Sequence, residues 1–247
     1  MDLLVLCGGY ATRLEPITLF IPKPLLPIGG RPIIDNIVDG IEDCQHINRI
    51  IISTNKKFES QFRYWMENKK ASGFRKEIEL IVEPTTEHKG KLGAIRGIEY
   101  AIENAGIKDD MMIVAGDNFY SWKLSGAIKE FFDSGKKVTI CVHDVKLTEE
   151  AKKFGIVQLE GRRVVRFDEK PESPSSTMAS TGVYLYPKDI VLRFKEYLSD
   201  GNNPDAPGYF LSWLIKKTEI DAVINEGEWF DIGTLDTYQK VYTRFNK

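Results

Sequence analysis

Gly8 and Gly9 end an apolar run near the start of the chain, and Arg13 and Lys23 follow shortly after them. Glycines there permit positive φ and close backbone approach. Past the end of the run at Leu6, the amides around Gly8, Gly9, Ala11 and Thr12 can therefore point at phosphate oxygens. A guanidinium binds phosphate through a forked pair of donors, whereas an ammonium acts as a mobile point charge, so Arg13 and Lys23 together suit a polyphosphate whose charge redistributes during reaction. Pro16, Pro22, Pro24, Pro27 and Pro32 keep the intervening segment extended and stiff, which fixes where Lys23 sits. The plain alternative is a strand-to-helix turn carrying surface charge.

Two aspartates lie far from this loop in the chain. In Ala115-Gly116-Asp117-Asn118 a carboxylate ends an apolar strand, behind a glycine that leaves room for a ligand. In Trp229-Phe230-Asp231-Ile232-Gly233-Thr234 another sits among aromatics and glycine. Mg²⁺ prefers oxygen ligands and commonly bridges one or two carboxylates to substrate phosphates, so Asp117 and Asp231 are the candidate metal ligands. Alternatively, Asp231 caps a helix beginning near Leu235 and Asp117 closes a turn. In Phe167-Asp168-Glu169-Lys170-Pro171 a strand delivers an acceptor beside a cation, which suits a sugar-phosphate: the carboxylate on hydroxyls, the ammonium on phosphate. His46, His88 and His143 lack ligand spacing, and no Gly-x-Ser-x-Gly nucleophile motif is present.

These groups need a scaffold that gathers distant segments. Leu3 to Cys7, Ile50 to Ser53, Ile78 to Val82, Met111 to Ala115 and Val138 to Val142 read as strands buried on both faces. Helical spacing separates them, with apolar faces at Ile33 to Ile41, Phe58 to Met66, Ala94 to Ile102 and Ala127 to Phe132. Alternation of this kind predicts an α/β fold with a mostly parallel sheet flanked by helices, whose ligands bind at the strands' carboxyl ends, where Gly8, Glu83 and Asp117 fall. Beyond about residue 150 the pattern turns antiparallel: Gly155 to Leu159 and Val164 to Phe167 flank a hairpin turn at Glu160-Gly161, and Met178 to Tyr186 adds a strand. Helices are expected around Ile190 to Leu198 and Tyr209 to Lys217, then a strand near Ala222 to Asn225 and a last helix from Leu235 to about Phe245.

One domain over residues 1–247 is expected, with a first half to about 150, a second half from 151 where the pattern changes, and no C-terminal β-helix. A net charge of -2 supplies no global field for nucleic acid or an anionic membrane, so an anionic ligand must be held by local charge. Cys7, Cys44 and Cys141 lack zinc or disulfide spacing and read as buried thiols of a reducing compartment. With no basic leader and no apolar run approaching roughly 18 residues, a cytoplasmic protein is expected.

Taken in order, Gly8 to Leu14, Pro22 to Pro27, Gly116 to Asn118, Phe154 to Val157, Glu169 to Pro171, Ala179 to Tyr184 and Asp231 to Thr234 resemble the sugar-1-phosphate nucleotidylyltransferases. That family's signature reads Gly-Gly-x-Gly-Thr-Arg-Leu followed by Pro-Lys-Pro-Leu-Leu-Pro. The resemblance implies a Rossmann-like nucleotidyltransferase fold. It also implies a Mg²⁺-dependent in-line displacement in which a nucleoside triphosphate and a sugar-1-phosphate give a nucleotide sugar and pyrophosphate. Arg13, Lys23 and Asp117 would be catalytic, and Asp117 and Asp231 would ligate Mg²⁺. Gly8 would face the nucleoside, and Glu83 and Gly90 the base. Gly155, Glu169, Lys170 and Ser180 would surround the sugar-phosphate. Among subfamilies the motifs look most like glucose-1-phosphate thymidylyl- or uridylyltransferases; Gly90 to Ile95 also resembles a stretch of guanylyltransferases. A homo-oligomer is left open.

Two positions depart from the family pattern. Ala11 replaces the signature's third glycine, so if that position needs positive φ the cost is on the order of 1 kcal/mol. Glu83 replaces the usual glutamine, and a carboxylate only accepts hydrogen bonds. It could accept from a pyrimidine N3–H, from a guanine N1–H and N2–H pair, or from a cytosine amino group. These departures keep guanylyl or cytidylyl transfer, or a weakly catalytic regulatory homologue, as alternatives. A dinucleotide oxidoreductase fits poorly, because the loop is not Gly-x-Gly-x-x-Gly.

Overall fold

A computed structural model describes residues 1–246. The first half runs β1 (Asp2–Leu6), a short ribbon of β2 (Pro27–Ile28) and β3 (Arg31–Pro32), α1 (Ile33–Asp39), β4 (Ile50–Asn55), α2 (Glu59–Ala71), β5 (Ile78–Glu83), α3 (Ala94–Asn104), β6 (Met111–Ala115), β7 (Asn118–Tyr120), α4 (Ser125–Asp133) and β8 (Val138–Asp144). The second half runs α5 (Thr148–Ala151), β9 (Gly155–Glu160), β10 (Arg163–Glu169), β11 (Met178–Tyr186), α6 (Lys188–Val191), α7 (Arg193–Ser199), α8 (Pro207–Leu214), β12 (Ile220–Ile224), β13 (Trp229–Asp231) and α9 (Leu235–Phe245).

One nine-stranded sheet passes through both halves in the order β5-β4-β1-β6-β11-β8-β12-β10-β9. β5, β4, β1 and β6 are parallel neighbours, so their carboxyl ends share one edge. β11 pairs antiparallel with both β6 and β8, and β12 is parallel to β8. The β9–β10 hairpin turns back, and β9 touches β11 through Ile156 and Ala179. Helices flank the sheet, and the fold is the mixed α/β architecture that the periodicity predicts.

Because successive strand residues point to opposite faces, the sheet divides its apolar residues between two cores. Leu4, Ile51, Ile113 and Ile140 pack with Ile95 and Ile98 of α3 and Phe210 of α8 on one face. Leu3, Val5, Ile52, Val114 and Cys141 pack with Ile37 of α1, Phe62 of α2 and Phe131 of α4 on the other. Strands buried on both sides read as unbroken apolar runs for this reason. A third, smaller cluster joins Leu14, Leu26, Ile28, Ile33, Ile232 and Val241. It packs the early glycine and proline segments against β13 and α9, the last elements of the chain. Burying a side chain of this size contributes about 1.5–3 kcal/mol, enough to hold the segments in register.

The cysteines are all free; Cys7 and Cys141 are buried, whereas Cys44 is only half-buried, contrary to the expectation for all three. No described helix is long and apolar enough to cross a membrane.

Candidate active site

The chain leaves β1 at Leu6 and enters the glycine loop. Gly8 and Gly9 do not adopt positive φ, which corrects one of the two reasons expected for them. Gly8 leaves space for the Glu83 carboxylate: a Cβ there would stand 2.9 Å from Oε1, so the side chain would have to shift. Nothing lies within 4 Å of a Cβ built at Gly9. The left-handed residue is Ala11, with φ 48 and ψ 43. Its carbonyl accepts from the Thr18 hydroxyl at 2.8 Å, a bond that helps to hold the turn. A one-turn helix over Thr12–Leu14 follows, burying Leu14 in the third cluster and leaving Thr12 and Arg13 exposed.

After a second short turn at Ile17–Leu19, Lys23 opens a third, and its Nζ lies 2.5 Å from Asp117 Oδ2. Asp117 is held from its other side, where Asn118 Nδ2 donates to Oδ1 at 3.1 Å and Trp229 Nε1 donates to Asn118 Oδ1 at 2.6 Å. This relay crosses an antiparallel two-stranded ribbon, β7 with β13, in which Asp231 pairs with Asn118. The ribbon brings the two aspartates together across more than a hundred residues. Asp231 does not cap α9; Thr234 does, accepting from the Thr237 amide at 3.2 Å. Burial, and then the neighbouring Asp117 charge, push the Asp231 carboxyl up to about 6, while Lys23, Arg13 and Lys170 pull it the other way. Arg13 approaches the same aspartate: a Cβ at Gly233 would be 3.4 Å from Arg13 Nη2 and 3.6 Å from Asp231 Oδ2.

Two carboxylates that resist being charged together suit a divalent cation, which would remove their repulsion. Asp117 and Asp231 therefore fit a metal shared with phosphate oxygens and water. No group of three or more potential ligands clusters among the described residues.

The second half meets this edge through the β9–β10–β11 region. Gly155 is opposite Glu169 in the hairpin, and Ala179 is opposite Ile156. The Glu169 carboxylate packs against Gly155 and Gly208: a Cβ at Gly155 would meet Oε2 at 3.2 Å, and one at Gly208 at 2.0 Å. Burial raises its pKa and Lys170 lowers it. Lys170 itself is left-handed, with φ 46, and exposed. Ser180 is buried, and its hydroxyl bonds Tyr184 at 3.3 Å.

On the other side of Gly8 is a cavity of 220 Å³ lined by Leu6, Gly8, Gly9, Ser53, Glu83, Lys91, Leu92, Gly93, Ala94, Gly97 and Asp205. Gly90 lies outside this lining, on an exposed turn just before Lys91. The sequence reading missed Ser53, Lys91, Gly93 and Asp205. Asp205 comes from the loop before α8, and carbonyls of that loop cap α3: Ala94 N donates to Asp205 O at 3.1 Å and Ile95 N to Pro204 O at 2.9 Å. Gly93, at φ 85, is required there because a Cβ would meet Pro204 O at 2.6 Å.

Fold and edge together define a class: an α/β protein that brings a glycine loop, two cations and an acidic pair to the carboxyl ends of parallel strands. The chain belongs to the nucleotidyl transferase family, whose model matches residues 3–247. It is similar to a provisionally named mannose-1-phosphate guanyltransferase of Sulfolobus acidocaldarius, 24% identical over 96% of this chain and 61% of the relative. It is also similar to a glucose-1-phosphate adenylyltransferase of Teredinibacter turnerae, 26% identical over 95% of this chain and 61% of the relative. A crystal structure of a provisionally named glucose-1-phosphate thymidylyltransferase from Bacillus anthracis, in complex with a sucrose, superposes with a TM-score of 0.84 at 25% identity, covering 100% of this chain and 96% of that one. The chain spans 51% to 61% of the length of the curated relatives that match it first.

Proposed function

We propose that the protein is a sugar-1-phosphate nucleotidylyltransferase, acting on a nucleoside triphosphate and a hexose-1-phosphate of the glucose or mannose type, with Mg²⁺ as the metal. The observation that carries this is the meeting of Lys23, Asp117, Asp231 and Arg13 at one strand edge, with Lys170 close enough to act on Asp231. Family membership and the names of its relatives support the same reading. Residues 1–247 then act as one domain, the first half binding the nucleotide and the second the sugar-phosphate.

In this reading the amides after Gly8 and the Arg13 guanidinium hold the triphosphate. Lys23 exchanges its Asp117 partner for phosphate oxygens as negative charge grows there. Glu169 accepts from sugar hydroxyls and Lys170 pairs the sugar's phosphate, whose oxygen attacks the α-phosphorus in line as pyrophosphate leaves. Mg²⁺ on Asp117 and Asp231 would neutralise phosphate charge. The chain's contribution is alignment and electrostatic stabilisation, which need no covalent nucleophile. Ala11 already holds the left-handed turn that the signature glycine would give, and this supports an active enzyme over a regulatory homologue.

Pyrophosphate release from a panel of triphosphates and sugar-1-phosphates tests the reading. Turnover by the wild type and its fall by on the order of 10²-fold or more in Asp117→Ala and Asp231→Ala are the expected results. No turnover with any pairing, or full activity in both variants, refutes it.

A further inference from the structure

Glu83 is 8% exposed at the carboxyl end of β5 and forms one wall of the cavity beside Gly8. Its carboxylate is wedged between two backbones: a Cβ at Gly8 would stand 2.9 Å from Oε1 and one at Gly97 2.8 Å. Ser53 Oγ donates to Oε1 at 3.2 Å. No lysine, arginine or histidine among the described residues forms an ion pair with it. The cation that lines the same cavity, Lys91, is paired at the mouth with Asp205 at 3.2 Å. Burial raises the Glu83 pKa and the Ser53 hydroxyl offsets this only in part, so donors added from a ligand would be what favours the carboxylate.

An uncompensated carboxylate in a cavity wall discriminates by what it cannot do. It accepts and never donates. Guanine is the one common base whose Watson–Crick edge presents two adjacent donors, N1–H and the N2 amino group, to match two carboxylate oxygens. Uracil and thymine offer a single N3–H flanked by carbonyl oxygens, which a carboxylate repels. Adenine and cytosine place a ring-nitrogen lone pair beside their amino group, which it also repels. Guanine's remaining acceptor, O6, calls for a cation, and Lys91 supplies one from the same cavity.

We propose that this cavity selects guanine, with the Glu83 carboxylate taking N1–H and N2–H and Lys91 taking O6. The inference rests on reading the chain as a nucleotidylyltransferase whose nucleotide base enters this cavity. Expected nucleotide chemistry therefore shifts from the uridylyl or thymidylyl type suggested by the sequence motifs to the guanylyl type.

Calorimetric titration of the wild type and Glu83→Gln with GTP, ITP, UTP, dTTP, ATP and CTP, each with Mg²⁺, tests it. Glutamine is nearly isosteric and both donates and accepts, so it keeps the fold and changes only the pattern read. The wild type should bind GTP at least about tenfold more tightly than UTP, dTTP, ATP or CTP. ITP, which lacks the 2-amino group, should lose about tenfold against GTP, and Glu83→Gln should erase or invert the GTP-to-UTP preference. Equal or tighter binding of UTP or dTTP by the wild type overturns the proposal, as does a GTP-to-UTP ratio unchanged by Glu83→Gln. Binding of no triphosphate overturns the transferase reading itself, a result distinct from binding without preference.

Discussion

Replacing Asp231 by Asn should stabilise the metal-free protein near pH 8, and by less and less as the pH falls. Burial and the adjacent Asp117 charge move the Asp231 carboxyl from its ordinary 3.8 to about 6. One pK unit corresponds to about 1.4 kcal/mol, so forcing the group to ionise in the folded chain costs on the order of 2–3 kcal/mol at neutral pH and above. A raised folded-state pKa means that the native chain holds its proton more tightly than the unfolded one. That contribution is fully present below 3.8 and is lost as the pH rises through about 6. Asparagine imitates the neutral acid at every pH. The variant's advantage should therefore be near zero around pH 4 and reach its plateau between about pH 7 and 8. For a chain of this size that corresponds to a Tm increase of roughly 4–12 °C at the plateau. Calorimetric melts in EDTA across the range, with pyrophosphate release measured alongside, give the comparison; the stabilised variant should be nearly inactive with Mg²⁺. A variant that melts below wild type at pH 8, or whose advantage is the same at pH 5, would show that Arg13, Lys23 and Lys170 already compensate the charge and that the acidic pair is not strained.

Three further substitutions separate the parts of the site. Gly208→Ala places a methyl 2.0 Å from the present Glu169 Oε2 position, so it should raise KM for sugar-1-phosphate by about tenfold or more and leave KM for the triphosphate nearly unchanged in initial-rate assays. Lys23→Met removes the ammonium held 2.5 Å from Asp117; Mn²⁺ should then bind the nucleotide-free protein more tightly by electron paramagnetic resonance titration, although turnover falls. Thr234→Ala deletes the cap of α9 and should cost about 1 kcal/mol, read as a lower Tm of roughly 2–4 °C.

The central strands β1, β4, β6 and β8 were legible because they are buried on both faces, whereas β5, also expected to be buried on both faces, is an edge strand and only half-buried. Met111–Ala115 and Leu235–Phe245 match their expected bounds, and the other strand runs fall within or beside the observed ones. What escaped the reading was short or distant. β7 and β13 have three residues each, too few for any period to show, yet their pairing is what makes Asp117 and Asp231 neighbours. At Gly8 positive φ is not the reason: its missing side chain leaves room for Glu83, which lies on another strand, and only tertiary contact reveals that. Asp205 lies more than a hundred residues from Lys91, in a loop whose sequence announces only a turn. Helix propensity likewise could not show that carbonyls of that loop cap α3.

The third apolar cluster explains how so few charges can be held in a working arrangement. Arg13 and Lys23 belong to a segment outside the sheet, and a loop bearing cations would ordinarily sample many positions. Leu14 immediately follows Arg13, and Leu26 closes the turn that begins at Lys23; both are buried with Ile232, the neighbour of Asp231, and with Val241 of α9. Each charged group is thus one to three residues from an apolar anchor in a single small core. The distance between the guanidinium and the aspartate is set by hydrophobic packing, and their mutual attraction has only to refine it. This division is favourable physically. One partly buried ion pair, whose attraction is offset by the desolvation of both charges, could not order the segment alone, whereas each buried leucine or isoleucine contributes about 1.5–3 kcal/mol. The cations are therefore positioned without being committed to the carboxylates. Lys23 can leave Asp117 for a phosphate while Leu14, Leu26 and Ile232 keep the loop where it is.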